Sequence, residues 1–481
     1  MKLRELLQNV NVLESTADME MEISLVTSDT RKEMTAGSLF VALNGFAFDG
    51  NRYISAAFDK GAAVVVTAKK PEQDVPYVLV DNDRLALARI GANYYGHPAD
   101  AMTMVGVTGT NGKTSVTWLL KQVLEKCRGT KVGLIGTMEN HIGDLVLATD
   151  RTTPESIRLQ ELFAQMRDAG CRYVVMEVSS HAIALHRVEG IHFEVAGFTN
   201  LTEDHLDFHK TMENYGETKA QLFEHCNKAV VNGDSPWAER MVSGKKISVL
   251  TTAVDGFGDL KAENIEYSGE GLRFTAVYNH QSVAISVPIP GKFTVYNVLT
   301  VLGIAMQLGV SLEDAANALK TVRGVKGRVE VVPTPGKAFT ILIDYAHTPD
   351  GLENVLSAVR GFCKGRLIAV YGCGGNRDKT KRPIMGEIGV RLADLAVITS
   401  DNPRKEEPGA IIQDILAGLA DAKNFVAIEN RIEAIHYAIN IAKEDDIIVL
   451  AGKGHETYQE VMGVKYHMDE REIVAAYLEE Q

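Results

Sequence analysis

The sequence has few cysteines, no long apolar run and no excess of positive charge. None of its five cysteines forms a C-x-x-C pair, which argues against a disulfide framework and against a zinc site. No apolar run reaches the length of a membrane-spanning helix, and the first residues lack the apolar core of a signal peptide. The 50 Lys and Arg against 63 Asp and Glu give a formal charge of −13, which argues against non-specific binding to nucleic acid or membranes. We therefore expect reduced thiols and a cytoplasmic location, and we take the protein to be a monomer.

The most informative stretch is glycine-rich and lies at residues 105–115, Val-Gly-Val-Thr-Gly-Thr-Asn-Gly-Lys-Thr-Ser. An apolar run before it and an amphipathic segment after it predict a strand, a turn and a helix. Such a turn directs backbone N–H groups and a helix N-terminus at a phosphate, while Lys113 adds positive charge and the Thr114 hydroxyl can ligate Mg²⁺.

The stretch departs by one residue from the general rule G-x-x-x-x-G-K-[ST], because Val107 occupies the position of the first glycine. An ordinary glycine-rich turn is the alternative, but it would need Lys-Thr to follow by chance. We therefore favour a variant phosphate loop. The ATP-binding residues predicted from it are Gly109, Thr110, Asn111, Gly112, Lys113 and Thr114.

Two later apolar segments, residues 173–178 and 195–198, end near groups suited to a nucleotide-bound metal ion, Glu177 and His205. Because ligands bind at the carboxyl ends of strands in open α/β sheets, we expect both groups beside the phosphate loop. The alternatives are a helix cap or ion pair for Glu177 and a solvated loop for His205. His205 is the weaker inference, since Mg²⁺ prefers oxygen ligands. Lys219 lies on a predicted helix, where a single lysine is usually exposed.

In residues 331–481, four apolar strands are each followed by a turn rich in Gly, Asp, Asn or Arg, which is a Rossmann-like arrangement. The spacing G-x-G-x-x-G is missing, so these turns do not predict a dinucleotide site. Arg377, Asp401, Arg404 and Glu456 can together hold a zwitterion, the arginines binding a carboxylate and the acids an ammonium. An ATP site and an amino-acid site in one chain indicate that ATP activates a carboxylate as an acyl phosphate, which an amine then displaces.

Length and the alternation of short strands with helices predict an α/β protein of several domains. We predict a small N-terminal α/β domain at residues 1–99, a central P-loop ATPase-like α/β domain at 100–330 and a C-terminal Rossmann-like α/β domain at 331–481.

Motifs in a fixed order along the chain resemble those of the Mur ligases of peptidoglycan synthesis. They are Thr-Gly-Thr-Asn-Gly-Lys-Thr (108–114), Thr-Thr-Pro (152–154), Glu-Val-Ser-Ser-His (177–181), Thr-Asn-Leu with Asp-His-Leu-Asp (199–207), Asp-Tyr-Ala-His-Thr-Pro (344–349) and Asp-Asn-Pro-Arg (401–404). The resemblance covers essentially the whole chain. It implies that the first domain binds a uridine nucleotide, the second ATP and the third an amino acid. It also implies that UDP-MurNAc-L-Ala-D-Glu is phosphorylated on a glutamyl carboxylate and attacked by an amine, with a pair of Mg²⁺ ions.

The resemblance also implies roles for single residues, by the position of each in its motif. Contacts to the UDP-MurNAc-dipeptide are implied for Ser28, Thr30, Thr152, Thr153, Ser179 and Arg187. Further ATP contacts are implied for Asn297, Arg328 and Asp344. Metal ligation is implied for Thr114, Glu177, His205 and Lys219. Catalytic roles are implied for Lys113, His205 and Lys219.

In this family the lysine that matches Lys219 is carbamylated, so the resemblance implies a modified, anionic Lys219. The Asp-Asn-Pro-Arg loop resembles the form found in enzymes that add meso-2,6-diaminopimelate, whose distal carboxylate needs a cation. For Arg404, the alternative is a surface ion pair with Glu406 or Glu407. The residues implied in diaminopimelate binding are Arg377, Asp401, Asn402, Pro403, Arg404, Gly452 and Glu456.

Three positions depart from the usual pattern of the family: Arg151 before Thr-Thr, Leu185 and Thr294. On the Asp-Asn-Pro-Arg loop at residues 401–404 we predict a diaminopimelate-adding ligase. The alternatives are a ligase of the same superfamily that adds L-lysine or acts on a folate, and a catalytically silent nucleotide-binding scaffold.

Overall fold

A computed structural model describes residues 1–45, 49–149, 151–268, 271–419 and 422–480. By its contacts the chain divides into two compact units, one of residues 1–260 with 299–315 and the other of 261–298 with 316–481. The boundaries of the three domains expected from the sequence stay a prediction. No helix among the described residues is long and apolar enough to span a bilayer, and all five cysteines are free thiols.

Residues 1–95 contain a five-stranded sheet covered by helices. The elements are α1 Leu3–Leu6, β1 Val12–Ser15, β2 Val26–Thr27, β3 Ser38–Ala42, α2 Ile54–Asp59, β4 Ala62–Thr67, β5 Tyr77–Val80 and α3 Asp83–Tyr95. The strand order is β1-β5-β4-β3-β2, with β1 antiparallel to β5 and the other neighbours parallel. Helix α3 begins where the Asn82 side chain accepts hydrogen bonds from the first free N–H groups, and it ends at Gly96 with φ 69°.

Residues 103–253 build the sheet that carries the phosphate loop. Its elements are β6 Thr103–Thr108, α4 Lys113–Arg128, β7 Val132–Ile135, β8 Glu139–Ile142, β9 Leu145–Ala148, α5 Ser156–Asp168, β10 Tyr173–Glu177, α6 Ser180–Ala184, β11 Phe193–Phe198, α7 Leu206–His209, α8 Met212–Ala220, β12 Cys226–Asn232, α9 Ala238–Val242 and β13 Ser248–Ala253. The order β13-β12-β11-β6-β10-β7 is parallel throughout, and β8 and β9 add an antiparallel edge. The central strands β6, β7 and β10 are buried over nearly their whole length and are rich in apolar residues, as expected for a covered parallel sheet. The carboxyl ends of β6, β10 and β11 are therefore adjacent, as predicted.

The next segment alternates in polarity and forms antiparallel strands, as predicted for residues 260–290. Its elements, with the helices that follow, are β14 Leu260–Ser268, β15 Gly271–Tyr278, β16 Gln281–Val287, α10 Lys292–Gln307, α11 Leu312–Leu319 and β17 Glu330–Val332. Strands β15 and β16 pair in register from Leu272 with Val287 to Tyr278 with Gln281.

The C-terminal part is a second, largely parallel sheet. Its elements are β18 Thr340–Asp344, α12 Pro349–Arg360, β19 Leu367–Tyr371, α13 Lys381–Leu392, β20 Leu395–Ile398, α14 Pro408–Leu416, β21 Phe425–Ala427, α15 Arg431–Ile441, β22 Ile447–Ala451, β23 Tyr458–Val461, β24 Val464–His467 and α16 Glu470–Glu479. The strand order is β17-β18-β22-β19-β20-β21, and only β17 is antiparallel to its neighbour. The four strands predicted from the apolar runs are β18, β19, β20 and β22, and their carboxyl ends share one edge. The strands β23 and β24 form a separate hairpin.

Candidate active site

The phosphate loop joins β6 to α4 and has the predicted strand–turn–helix form. Gly109 has φ 147° and Gly112, at the start of α4, has φ 87°, both in the region that favours glycine. The Lys113 ammonium donates to the carbonyl oxygens of Gly109 and Thr110, each at 2.9 Å. The loop therefore encloses the cation that the sequence predicts for phosphate binding.

The segment after β11 holds this loop in shape. The Asn200 carbonyl accepts a hydrogen bond from the Thr110 N–H at 2.9 Å, and the Asn200 side-chain oxygen accepts one from the Asn111 N–H at 3.0 Å. The Thr199 hydroxyl donates to the Asn111 carbonyl at 2.6 Å. A loop that is braced in this way can keep its shape when a ligand arrives at the N-terminus of α4.

A Gly109→Ala substitution should weaken nucleotide binding by at least about tenfold, a loss of about 1.4 kcal/mol. A Cβ on Gly109 would lie 1.9 Å from the Thr199 hydroxyl oxygen, so the loop or its brace must move. Titration calorimetry with Mg-ATP measures the effect. Gly129→Ala is the matched control, because Gly129 also has positive φ but a Cβ there meets nothing within 4 Å. Equal ATP affinities for the two variants would contradict the account of the loop.

Glu177, at the end of β10, is almost fully buried beside the loop. The Thr114 hydroxyl donates to its carboxylate at 3.0 Å, and the Thr137 N–H donates at 2.8 Å. The Thr137 hydroxyl oxygen lies 3.0 Å from Glu177 Oε2 and 3.1 Å from the Thr152 hydroxyl oxygen. Ser179 caps α6, so the helix-cap alternative for Glu177 is wrong; the hydrogen bonds given for its carboxylate in the described part of the chain come from hydroxyl and N–H groups. The structure therefore brings Thr114 and Glu177 together, as predicted for a pair of oxygen ligands to Mg²⁺.

Lys219 is not on the surface, and the expectation drawn from its local sequence was wrong. It faces inward from α8 with a relative exposure of 1%. Its ammonium donates to the Gly109 carbonyl at 2.9 Å and lies 4.5 Å from the centre of the Tyr215 ring. Burial lowers the pKa of Lys219 well below its ordinary value, and the nearby Lys113 charge lowers it further. The residue is therefore part of the phosphate-loop site.

His205 begins α7 with φ 53° and keeps about half of its side chain exposed. Its ring packs edge-on to His181, with the ring centres 4.8 Å apart. The described residues include no group of three or more His, Cys, Asp or Glu side chains that could hold a metal ion. The predicted role of His205 as a metal ligand stays a prediction.

Four residues predicted to contact the dipeptide surround the end of β10. The Thr153 hydroxyl donates to the Glu177 carbonyl at 2.8 Å and accepts from the Ser179 N–H at 3.2 Å. Arg187 donates to the Thr153 carbonyl at 3.1 Å. The Thr152 hydroxyl oxygen lies 3.1 Å from the Thr137 hydroxyl oxygen, which in turn contacts the Glu177 carboxylate. The structure therefore brings Thr152, Thr153, Ser179 and Arg187 into one cluster next to Glu177.

The other two residues predicted for the UDP-substrate, Ser28 and Thr30, lie in the turn after β2. Both are half-buried. The Thr27 hydroxyl accepts from the Asp29 N–H at 3.1 Å, and the Lys60 ammonium donates to the Thr30 carbonyl at 2.6 Å. This turn leaves the Ser28 and Thr30 side chains at the end of a parallel strand, where ligands commonly bind in such sheets.

In the other unit, Asp344 closes the end of β18. Its buried carboxylate accepts from the N–H groups of Val329 and Ala346, each at 2.8 Å. Burial raises the pKa of Asp344, while the Arg328 charge opposes that rise. Arg328 stacks over the Tyr345 ring at 5.5 Å, and Asn297 is buried on α10. Arg328 and Asp344 thus share one local site.

The predicted amino-acid residues Asp401, Asn402 and Glu456 meet around a lysine that the sequence analysis missed. Lys453 is fully buried, and its ammonium lies 3.2 Å from both Asn402 Oδ1 and Glu456 Oε2. It is also 3.6 Å from Asp401 Oδ1, which is buried and without a hydrogen-bond partner among the described residues. Gly452, with φ 113°, donates its N–H to the Asp344 carbonyl at 3.0 Å. The cluster therefore holds two carboxylates next to one cation, which suits an ammonium ligand.

Arg404 lies at the edge of this cluster with φ 53°. It donates to the Gly375 carbonyl at 2.9 Å, and its Nε lies 3.6 Å from the Glu460 carboxylate. Among the described residues Arg404 pairs with Glu460, while Glu406 pairs with Arg382 and Lys379; the role of Arg404 in binding diaminopimelate stays a prediction. Pro403 supports the same turn, since its carbonyl accepts from the Glu406 N–H.

Arg377 is exposed. A direct role for it in binding the amino acid stays a prediction.

Several residues in these sites carried no signal in the sequence. Thr137 and Tyr215 are polar side chains within otherwise ordinary segments, and Lys453 lies between two glycines in a turn. Only Asn200 could have been found, since it follows Thr199 in a motif that the sequence analysis had already singled out.

Comparison with known proteins agrees with this geometry. Three family models match: the Mur ligase family, catalytic domain at residues 22–95, the Mur ligase middle domain at 107–305 and the Mur ligase, glutamate ligase domain at 327–454. The UDP-N-acetylmuramoyl-L-alanyl-D-glutamate–2,6-diaminopimelate ligase of Clostridium botulinum is 46% identical over 465 residues, which cover 95% of this chain and 96% of the relative. The ligase 1 of that name from Clostridium acetobutylicum is 46% identical over 483 residues and all of both chains.

A solved structure of a ligase of the same name aligns with 100% of this chain and 99% of its own, with a TM-score of 0.75 and 29% identity. The match therefore extends over the N-terminal, central and C-terminal parts in both sequence and fold. The chain belongs to the Mur ligase family.

Proposed function

We propose that this chain is an ATP-dependent amide ligase that adds meso-2,6-diaminopimelate to UDP-MurNAc-L-Ala-D-Glu in peptidoglycan precursor synthesis. The observation that carries the proposal is the full-length identity of 46% with relatives named for this reaction. The two sites described above supply the matching chemistry, one for a nucleotide phosphate and one for a zwitterion. Because ATP is the energy source, we place the reaction in the cytoplasm.

In the first step, an oxygen of the glutamyl γ-carboxylate attacks the γ-phosphorus of ATP and ADP leaves. The N-terminus of α4, which begins at Lys113, and the Lys113 ammonium bind the phosphates. Thr114 and Glu177 have the oxygen donors that Mg²⁺ prefers and would hold it; a bound Mg²⁺ offsets negative charge on the transferred phosphoryl group. Thr152, Thr153, Ser179 and Arg187 orient the dipeptide, so that its carboxylate approaches along the line of displacement.

In the second step, the amine of diaminopimelate attacks the acyl carbon and inorganic phosphate leaves. Asp401 and Glu456 bind an ammonium of the amino acid, and Arg404 binds a carboxylate. Arg377, Asn402, Pro403 and Gly452 complete the site. Arg328, Asn297 and Asp344 contact the nucleotide.

Carbamylation of Lys219 belongs to the same proposal. Burial lowers the pKa of Lys219 and so favours the neutral amine. In the carbamylation step the nitrogen of that amine adds to the carbon of CO₂ and an N–H proton passes to water. The product is an anion where an ammonium stood, and it can join Thr114, Glu177 and His205 in holding a pair of Mg²⁺ ions.

One assay tests the proposal: phosphate release from ATP in the presence of the UDP-dipeptide and each amino acid in turn. We expect release with meso-diaminopimelate and much less with L-lysine. Release with L-lysine alone would overturn the specificity. Release with neither would favour a nucleotide-binding scaffold over an enzyme.

Arg404→Ala should raise the KM for diaminopimelate by about 10- to 100-fold, since a hydrogen bond to a charged group contributes about 1.5–3 kcal/mol. The KM for ATP should not change. Steady-state kinetics with each substrate varied measures both. Arg391→Ala is the control, because Arg391 is an exposed arginine on α13 that pairs with Glu353 at 2.9 Å. An unchanged KM for diaminopimelate would remove Arg404 from the site.

A further inference from the structure

Three guanidinium groups meet at one carboxylate in the unit that carries the phosphate loop. Glu155 Oε1 lies 2.6 Å from Arg187 Nη2 and 2.8 Å from Arg151 Nη1. Its other oxygen lies 3.9 Å from Arg84 Nη1. The resemblance to the family assigns no role to Arg84 or Glu155, and Arg151 is a departure from the usual pattern.

Arg187 has a group within this cluster that a ligand would satisfy. Its side chain is 11% exposed, and its Nε is buried with no hydrogen-bond partner in the part of the chain that the structure describes. An unsatisfied buried donor is costly, so its presence favours a site that is completed by a ligand. Burial lowers the pKa of Arg187, and the charges of Arg151 and Arg84 lower it further against the pull of Glu155. An additional anion bound here would reduce the electrostatic repulsion among the three guanidinium groups.

The cluster is continuous with the residues around Glu177. Arg187 donates to the Thr153 carbonyl, and Thr153 in turn donates to the Glu177 carbonyl. Arg151 directly precedes Thr152 in the chain. A group bound by the arginines would therefore lie next to the residues assigned to the dipeptide and near Glu177, the proposed Mg²⁺ ligand.

We propose that Arg84 and Arg151 join Arg187 in binding the α-carboxylate of the D-glutamyl residue, an inference that rests on the proposed function. Glu155 already shows that the cluster accepts a carboxylate, since Arg151 and Arg187 both donate to its Oε1. The α-carboxylate is separated from the reacting γ-carboxylate by the short glutamyl side chain, which matches the proximity of the cluster to Glu177. By binding the unreactive carboxylate, the arginines select which of the two is presented to ATP.

The test compares two substrates in each enzyme variant: UDP-MurNAc-L-Ala-D-Glu and its analogue with an α-carboxamide, which keeps the γ-carboxylate. For the wild-type enzyme, we expect the carboxamide to lower kcat/KM by about 10- to 100-fold. In Arg151→Ala and in Arg84→Ala, kcat/KM for the normal substrate should fall, and the penalty for the carboxamide should shrink to about threefold or less. This loss of discrimination is a result that a purely structural role would not produce.

Arg158→Ala is the matched control, because Arg158 lies on α5 and pairs with Glu161. The Arg158→Ala variant should keep the wild-type kcat/KM for the normal substrate and the full loss of kcat/KM with the carboxamide. Two results would overturn the inference. The first is a carboxamide penalty that is undiminished in both arginine variants, which would place the arginines on the diphosphate or in a structural role. The second is unchanged kinetics in both variants. Neither of these two results bears on the proposed function, which is tested separately by diaminopimelate-dependent phosphate release by the wild-type enzyme.

Discussion

Replacing Lys219 by alanine should lower kcat by about 10³-fold, comparable to the loss of a preorganised group that stabilises charge in a transition state. The residue is almost fully buried, and its nitrogen is 2.9 Å from the carbonyl of Gly109 in the phosphate loop. As a carbamate it would face the transferred phosphoryl group through bound Mg²⁺, which alanine cannot do. ATP binding, measured by calorimetry, should fall much less than kcat.

Two further measurements separate carbamylation from a role for the ammonium. Lys219→Arg keeps a positive charge but cannot form the carbamate, so it should be as inactive as the alanine variant. Wild-type enzyme held in CO₂-free buffer should lose activity and regain it with bicarbonate. Lys246→Ala, which removes an exposed lysine, is the control and should behave as wild type. Activity that is independent of bicarbonate, or an active arginine variant, would contradict the carbamylation proposal.

The second large effect is expected at Lys453. Lys453→Met should lower the free energy of unfolding by about 3–5 kcal/mol, because it leaves the carboxylates of Asp401 and Glu456 without their buried cation. It should also raise the KM for diaminopimelate by at least about tenfold, since Asn402 and Glu456 lose the group that positions them. Denaturant titration and steady-state kinetics measure the two effects.

Lys453→Arg tests whether charge alone suffices, and it should recover part of the stability. The control is Lys465→Met, in the exposed hairpin strand β24, where a surface substitution changes stability by about 0.5 kcal/mol or less. A Lys453→Met protein that unfolds at the wild-type denaturant concentration would show that the carboxylates do not depend on this lysine.

The phosphate loop and the sheets could be predicted because their signals are local. A buried parallel strand is apolar along its length, and a phosphate loop needs glycine, lysine and threonine at fixed spacing. The local sequence of Lys219 pointed to an exposed residue because its helix is polar, whereas its ammonium contacts Gly109, which lies 110 residues earlier in the chain. No periodicity within α8 could reveal that contact.

In the predicted amino-acid site, too, the motif could be read from the sequence but the contacts that support it could not. The loop Asp-Asn-Pro-Arg was identified, yet its supports come from the β23–β24 hairpin. Gln459 donates to the Asp401 carbonyl at 2.7 Å, and the Glu460 N–H donates to Asn402 Oδ1 at 2.9 Å. Which residues of a hairpin face a distant loop depends on strand register, and register follows from the packed structure.

We propose that the γ-phosphoryl group of ATP passes to the glutamyl γ-carboxylate before the amide forms. This transfer is tested most directly with UDP-MurNAc-L-Ala-D-Glu labelled with ¹⁸O in both γ-carboxylate oxygens, by mass analysis of the phosphate released when diaminopimelate is added. An acyl phosphate predicts that each phosphate carries one ¹⁸O, because the carboxylate oxygen bonded to phosphorus leaves with it, and that the other ¹⁸O stays in the amide. Unlabelled phosphate, with the departing ¹⁸O found in AMP or in water, would contradict the acyl-phosphate mechanism.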